Sequence, residues 1–338
     1  MISTLDRKLF RDIGGMKGQI VVVSLVMACG MAMMIISHSI ILSLESTRDA
    51  YYQQYRMPDV FGSVKSAPLS LQHRLSHIPG VATVELRVVE EALLDMEGVH
   101  EPVKAHLVSL PDDGKQNLNH VFLRRGRLPL LSAQREAVVS EAFAAVHGLR
   151  IGDRITAILN GHRDHLDICG IGLSPEFVFE AAPGQTLPDN RHYGVFWMRY
   201  QSLAVAFDLD GAFNNLCMDL SPGTNPQGVI EEVDQMLTLF GAPGAYGLKD
   251  HPSSKRLGDE LRIVRALSLA YPAVFLCVAA FMVNAVITRL VRLQREQIAQ
   301  LKALGYTSWQ VGRHYMNYAL VIVVLGSVTG VFAGGYLG

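Results

Sequence analysis

Much that defines common classes of enzyme is missing from this chain. There is no G-x-x-x-x-G-K-[ST] loop, and Gly114-Lys115 is followed by Gln116, so no nucleotide is held in that manner. No Ser/His/Asp or Cys/His set has a recognisable spacing and no paired carboxylates stand in a motif. No catalytic residue is therefore assigned, and the chain is read as not an enzyme. Basic residues form no stripe, which argues against a nucleic-acid partner. Only 4 cysteines occur in 338 residues. Cys29 and Cys277 fall in apolar runs and read as small apolar residues. Cys169 and Cys217 fall outside them, where an oxidising compartment permits a disulfide but no spacing signature demands one. His162, Asp164, His165 and Asp167 are the densest group of potential metal ligands. Strand alternation puts His165 and Asp167 on one face and His162 and Asp164 on the other, so they do not converge and no metal site is assigned.

Formal charge is also missing from three long stretches, residues 20–44, 266–288 and 315–338. A bilayer core of about 30 Å needs roughly 20 helical residues, because backbone in lipid must satisfy its own hydrogen bonds. Each stretch is long enough, and three transmembrane helices are expected. The composition agrees, with 49% hydrophobic and 18% charged residues. A cleaved signal peptide is the weaker reading of the first stretch, since its apolar run is long and no A-x-A-like site follows.

Orientation follows from the basic residues. Residues 1–19 carry Arg7, Lys8, Arg11 and Lys17, and residues 289–314 carry Arg289, Arg292, Arg295, Lys302 and Arg313. Both flanks are read as cytoplasmic. Residues 45–265 hold 21 of the 30 basic and 28 of the 31 acidic residues, a net charge of −7, and form the exported domain.

The expected organisation is then as follows. Residues 1–19 hold a cytoplasmic amphipathic helix with Leu5, Leu9, Phe10 and Ile13 on one side, broken at Gly14-Gly15. Residues 20–44 are the first span. Residues 45–265 are stalk and core domain, residues 266–288 the second span, residues 289–314 a cytoplasmic helix-turn, and residues 315–338 the third span. Within the exported part, residues 59–65, 68–77 and 81–89 read as a β-α-β unit. Residues 136–139 read as a strand after which Ser140 caps a helix stopping at Gly148. Asn160-Gly161 marks a hairpin, because both turn positions need positive φ. A late helix starts at Asn225-Pro226 and ends before Gly241. Residues 57–252 are taken as one folded unit of α+β type.

The most informative segment runs from Arg295 to Val311. Ile298, Leu301 and Leu304 share a helical face, and Gly305 supplies a left-handed residue that ends the helix. Thr307 and Gln310 have capping-box spacing, with Tyr306 and Val311 as its hydrophobic staple. A second helix therefore starts at once, giving a sharp corner at the membrane face. In the third span Gly326, Gly330 and Gly334 recur every four residues and make a smooth face for helix packing. Ser37, His38, Ser39 and Asn284 read as packing polar groups near span ends.

Arg295 to Gly305 closely resembles the REIA-x-LKALG signature that follows the second span of FtsX-like ABC permeases, with Gln297 as a departure. Gly126-Arg127-Leu128-Pro129, Glu136-Ala137-Val138-Val139-Ser140-Glu141 and Gly148-Leu149-Arg150-Ile151-Gly152-Asp153 resemble the MacB-type periplasmic core domain. The resemblance implies a membrane α-helical fold with an inserted α+β extracytoplasmic domain: three transmembrane helices, stalk helices and a MacB-like periplasmic core domain. It implies ATPase coupling through Glu296, Lys302, Ala303, Leu304 and Gly305. It also implies a cytoplasmic ABC ATPase as partner, with ATP used only through that partner and no cofactor on this chain. A second permease unit is expected, as a homodimer or as the second half of a longer chain, and a periplasmic adaptor is a further candidate. Single-copy relatives close with a fourth span, so an end at Gly338 reads as a truncation.

The expected function is that of a permease subunit of the bacterial plasma (inner) membrane. It would transmit ATP-driven motion to the periplasmic domain for export or extraction of a lipid-like, lipoprotein or amphipathic substrate. The alternative is a non-transporting signal-transmission protein that regulates a periplasmic partner.

Overall fold

The computed structural model describes residues 11–12, 14–96, 98–185 and 187–338. Leu5, Leu9, Phe10 and Ile13, on which the N-terminal amphipathic helix is read, lie outside the described residues. Gly14 and Gly15 are helical, and the irregular residue is Met16, whose carbonyl accepts from Gln19 N and Ile20 N. The break expected at the glycine pair is thus displaced by one residue, because that carbonyl already starts the next helix.

The chain divides into two units, one made of residues up to Thr47 with Glu260–Gly338, the other of Arg48–Asp259. Among the described residues three helices are long and apolar enough to cross a membrane: α1 (Lys17–Gln54), α6 (Pro252–Leu293) and α8 (Ser308–Leu337). Uncharged side chains cover their surfaces, and large apolar groups such as Leu25, Phe281 and Phe332 are exposed along them. That pattern suits a helix solvated by lipid. Each helix extends beyond its uncharged run. In α1 the helix continues through Glu45 and Arg48, and the Glu45 carboxylate accepts from Arg265 on α6. Between α6 and α8 lies the short α7 (Arg295–Ala303).

The unit Arg48–Asp259 carries two sheets. The first comprises β1 (Val60–Pro68), β2 (Val81–Arg87), β10 (Ala212–Leu220) and β11 (Tyr246–Gly247), in the order β11-β1-β10-β2. Helices α2 (Leu71–Ser76) and α5 (Pro226–Leu237) share its apolar core. The β-α-β unit expected over residues 59–89 forms, in split form. β1 and β2 are not neighbours, because β10 pairs antiparallel with both of them. The unit is split by a strand supplied over a hundred residues later. α5 begins where Asn225 Oδ1 accepts from Gln227 N at 3.2 Å. It buries Val229, Val233 and Leu237 at four-residue spacing, worth roughly 1.5–3 kcal/mol per fully buried side chain.

The second sheet comprises β3 (Val89–Asp95), β4 (Val103–Leu110), β5 (Phe122–Gly126), β6 (Glu136–Ser140), β7 (Arg154–Leu159), β8 (His162–Leu173) and β9 (Tyr193–Arg199). Its order is β5-β8-β6-β9-β4-β3-β7, and β7 also pairs with β8. That last pairing closes six strands into a barrel and removes their free edges. Inside are small residues such as Ala105, Ala137 and Ala157 beside large ones such as Leu107, Leu166 and Phe196, with Phe143 of α3 (Glu141–His147) and Leu203 of α4 (Tyr200–Ala206) in the same cluster. Tyr193, Val195 and Trp197 alternate with Phe196 and Met198 along β9, and form a separate cluster on the opposite face. The hairpin β7–β8 turns at Asn160 (φ 46°) and Gly161 (φ 80°), both left-handed.

Ser140 stands at the N-terminus of α3 but makes no capping hydrogen bond. Its hydroxyl donates instead to the Glu180 carboxylate at 2.7 Å. In that rotamer the hydroxyl oxygen accepts from Val195 N at 3.4 Å and not from the first N–H groups of α3. Gly148 ends α3 in the left-handed conformation. Arg127 makes a two-pronged ion pair with Glu136, whose Oε2 also accepts from Leu130 N at 2.9 Å. The three sequence motifs quoted for the core domain are thus turns and braces around β6 and α3.

Candidate functional site

The corner between α6 and α8 is built from a few local rules. α6 ends at Leu293, Gln294 leaves the helical path (φ −99°, ψ 20°), and α7 starts at Arg295. α7 ends at Ala303, after which Gly305 takes φ +93°. A Cβ built on Gly305 would meet nothing within 4 Å, so the glycine is required by conformation alone. The capping box then forms in full, with Thr307 N donating to Gln310 Oε1 at 2.9 Å and Gln310 N donating to Thr307 Oγ1 at 3.3 Å. Tyr306 and Val311 lie in one apolar cluster with Ile298, Leu301, Leu290, Tyr315 and Tyr318.

Leu304 departs from the face proposed for it. It is 77% exposed, because it sits past the last helical residue where the chain turns toward Gly305. Glu296, Lys302, Ala303, Leu304 and Gly305 are all exposed. All five are thus exposed at the corner, while Ile298 and Leu301 are half-buried in its apolar cluster. Trp309, 80% exposed, adds a large aromatic group just beyond the turn; the sequence reading gave it no role.

A polar chain braces the inner side of the corner. Tyr315 Oη donates to Gln294 Oε1 at 2.8 Å, Gln294 Nε2 donates to Asp12 Oδ2 at 3.0 Å, and Tyr318 Oη donates to the same oxygen at 3.1 Å. The chain ties the segment before the first span to the break that starts α7. Sequence reasoning missed it. The available signal was an acidic residue just before an apolar run, matched by two tyrosines three apart at the start of α8.

The glycine stripe packs against α1. A Cβ on Gly326 would lie 2.8 Å from Met27 Cβ and 2.9 Å from Ser24 O; on Gly330, 2.6 Å from Met31 Cβ and 2.7 Å from Ala28 O. On Gly334 it would lie 3.0 Å from the Ala32 backbone. Ser24 Oγ donates to Ile322 O at 3.2 Å and Ser39 Oγ to Gly338 O at 2.9 Å across the same interface. His38 and Asn284 are exposed on their helices, and Ser37 is half-buried.

In the unit Arg48–Asp259 a buried charged hub lies between elements of both sheets. Arg87 of β2 donates to Glu176 through Nη1 at 2.6 Å and Nη2 at 2.9 Å, and to Asn215 Oδ1 on β10 through Nη2 at 2.7 Å. Asn119 Nδ2 also donates to Glu176, at 2.6 Å. Burial pushes the Glu176 carboxyl up, but the Arg87 guanidinium more than reverses this and holds it below the usual range. Burial lowers both His106 and His251, and raises Glu180 to about 7 against a weaker opposing bond from Ser140. Among the described residues no three His, Cys, Asp or Glu side chains gather to hold a metal. His165 lies 3.4 Å from Asp164 and 3.9 Å from Asp167 on the exposed part of β8. Cys169 and Cys217 are both free thiols, one in the barrel-side cluster and one beneath the first sheet.

Among the described residues, then, three helices long and apolar enough to cross a membrane carry an inserted α+β domain and the corner between the second and third of them. Residues 269–338, which hold the second and third apolar helices and the corner between them, match the family described as FtsX-like permease C-terminal. Three solved structures are similar to the inserted domain. The extracellular domain of the noncanonic ABC-type transporter YknZ from Gram-positive bacteria is 12% identical over 56% of this chain and 98% of that one, with a TM-score of 0.38. The periplasmic region of MacB from Actinobacillus actinomycetemcomitans is 11% identical over 58% and 91%, with a TM-score of 0.36. A domain of a permease protein from Porphyromonas gingivalis is 16% identical over 55% and 84%, with a TM-score of 0.32. No curated protein matches the chain in sequence.

Proposed function

We propose that this chain is the permease subunit of an ABC transporter in a bacterial plasma membrane. A separate cytoplasmic ATPase docks on the corner formed by α7 and the turn after it. The observation that carries the reading is the FtsX-like match over the very segment that turns Glu296, Lys302, Ala303, Leu304 and Gly305 outward. A corner of this kind suits a push. Its outer face offers a carboxylate, an ammonium and exposed apolar groups, while its inner face is fixed by an apolar cluster and the Asp12 chain. α1 and α6 each run as one helix from an apolar stretch into a polar extension, α6 with Pro272 inside it. A second permease unit would complete the membrane part. The substrate class that fits such a machine is lipid-like, lipoprotein or amphipathic. ATP enters only through the partner, and this chain supplies neither cofactor site nor catalytic group.

The test is reconstitution of the full chain with a cognate cytoplasmic ABC ATPase. Gly305→Val forces a β-branched residue into a left-handed turn that meets no steric obstacle, so the fold away from the turn is preserved. Membrane insertion should be unchanged, and stimulation of the ATPase by the permease should fall at least several-fold. Undiminished stimulation by Gly305→Val and by a Lys302→Glu, Leu304→Asp double variant would reject the corner as the docking site.

A further inference from the structure

The unit Arg48–Asp259 has a half-open cavity of about 640 Å³ at the junction of the two sheets and the first turns of α6. This is within the range of small-ligand sites, roughly 300–1,000 Å³. Glu180, Phe177, Phe179, Tyr193, Tyr246 and His106 line it. The side chains are unusual in combination. Glu180 is only 6% exposed, its carboxylate accepts from Ser140 Oγ, and among the described residues no cation lies within ion-pair distance. A carboxylate buried without a counter-charge is costly, and ordinary cores avoid it. Aromatic side chains line the cavity beside it, and an aromatic face attracts cations through its quadrupole.

The other charges around the cavity are accounted for. Glu176 is neutralised by Arg87, and Arg256 lies over the Phe179 ring at 5.4 Å. Lys255 and Asp259 line the cavity from α6, with Lys255 exposed. His106 and His251 are held neutral by burial, and the Nδ1 atom of each is buried with no hydrogen-bond partner.

We propose that this cavity is a binding site for an organic monocation with an apolar body, its charge opposite Glu180 and its body against Phe177, Tyr193 and Tyr246. The site lies wholly within the inserted domain, and its occupation does not depend on the ATPase reading. Failure of one therefore leaves the other standing. A guest held there would also touch Ser253 and its neighbours at the start of α6, where Ser253 Oγ accepts from Phe179 N at 2.8 Å.

The experiment uses the full chain in lipid nanodiscs and a styrylpyridinium dye, whose fixed charge does not titrate and whose fluorescence rises away from water. Empty nanodiscs supply the lipid background. The uncharged styrylpyridine at pH 8 is the comparator. The dye should bind saturably, and Glu180→Gln, whose amide oxygen can still accept from Ser140, should weaken it at least tenfold while leaving the uncharged comparator unaffected. Wild-type affinity for the dye should fall severalfold from pH 8 to pH 6.5, as Glu180 becomes neutral. Equal binding of dye and comparator, or equal dye binding by wild type and a folded Glu180→Gln, would overturn the proposal. Should that variant fail to fold, the wild-type pH series decides, and an affinity flat between pH 8 and 6.5 would sink it.

Discussion

Two glycines five residues apart on α8 should respond oppositely to the same added methyl group. A Cβ on Gly335 meets nothing within 4 Å. Gly335→Ala therefore gains only helix propensity, roughly 1 kcal/mol at an exposed position. A Cβ on Gly330 would lie 2.6 Å from Met31 Cβ and 2.7 Å from the Ala28 carbonyl oxygen. The obstacle includes backbone, so no rotamer change relieves it, and α1 and α8 must part by about 1 Å to reach ordinary contact. A gap of that size forfeits a quarter to a half of each atom pair's attraction along the seam. It also strains the hydrogen bond from Ser24 Oγ to Ile322 O. Overpacking of this kind costs typically about 1–3 kcal/mol. The two variants should thus differ by about 2–4 kcal/mol. The measurement is SDS-driven unfolding of the full chain in mixed micelles, followed by circular dichroism. Lipid drives no helix association by hydrophobicity, so close packing is what the assay reads. If Gly330→Ala proved as stable as Gly335→Ala, the stripe would not be the surface on which α1 rests.

The remaining predictions concern charge, caps and pH. Thr307→Ala removes one half of the capping box and should cost about 1 kcal/mol locally, seen as faster amide exchange at the start of α8, with Thr307→Ser close to wild type. Asp12→Ala leaves Gln294 and Tyr318 without their shared acceptor and should loosen the corner, raising protease cleavage between Arg295 and Thr307; unchanged cleavage would argue that the brace is idle. Arg87→Met strands the Glu176 carboxylate among buried groups and should cost about 3–5 kcal/mol, whereas the Arg87→Met, Glu176→Leu pair should recover much of it. Glu180 binds its proton more tightly when folded, with a pKa of about 7, so its contribution to stability is greatest at low pH and declines as pH rises from the unfolded carboxyl range through about 7. The stability difference between wild type and Glu180→Gln should therefore shift against wild type by up to about 3 kcal/mol across that window, read from paired melts at pH 4.5 and 8.

What the chain announces locally is what its structure delivers locally. The three uncharged runs become helices, Asn160-Gly161 turns a hairpin, Gly148 and Gly241 end helical turns in left-handed geometry, and Thr307 with Gln310 caps α8. Each of these is decided by residues within a few positions of one another, and backbone sterics or desolvation leave few alternatives. What escapes a linear reading is pairing at a distance. β10 enters between β1 and β2 from over a hundred residues away, and the barrel closes only because the twelve residues of β8 are long enough to pair with β7 at one end and with β5 and β6 at the other. Ser140 shows the same conflict in one side chain. Its position predicts a cap, yet Glu180, forty residues on, takes the hydroxyl.

The same division separates the two sites. The outer face of the corner is legible because a helix, a left-handed glycine and a cap follow in order, so exposure is set by local geometry. The brace behind it and the cavity of the inserted domain depend on Asp12 meeting Tyr318 and on Glu180 meeting Tyr193 and Phe177, contacts that no spacing encodes. Buried polar groups are costly unless satisfied. A carboxylate that folding carries to a place without a cation therefore implies a compensating partner, whether a proton, as the raised value of Glu180 already indicates, or a guest that displaces that proton. The titration of Glu180 and the capture of an organic cation are two readouts of one unbalanced charge, and a variant that abolishes one must abolish the other.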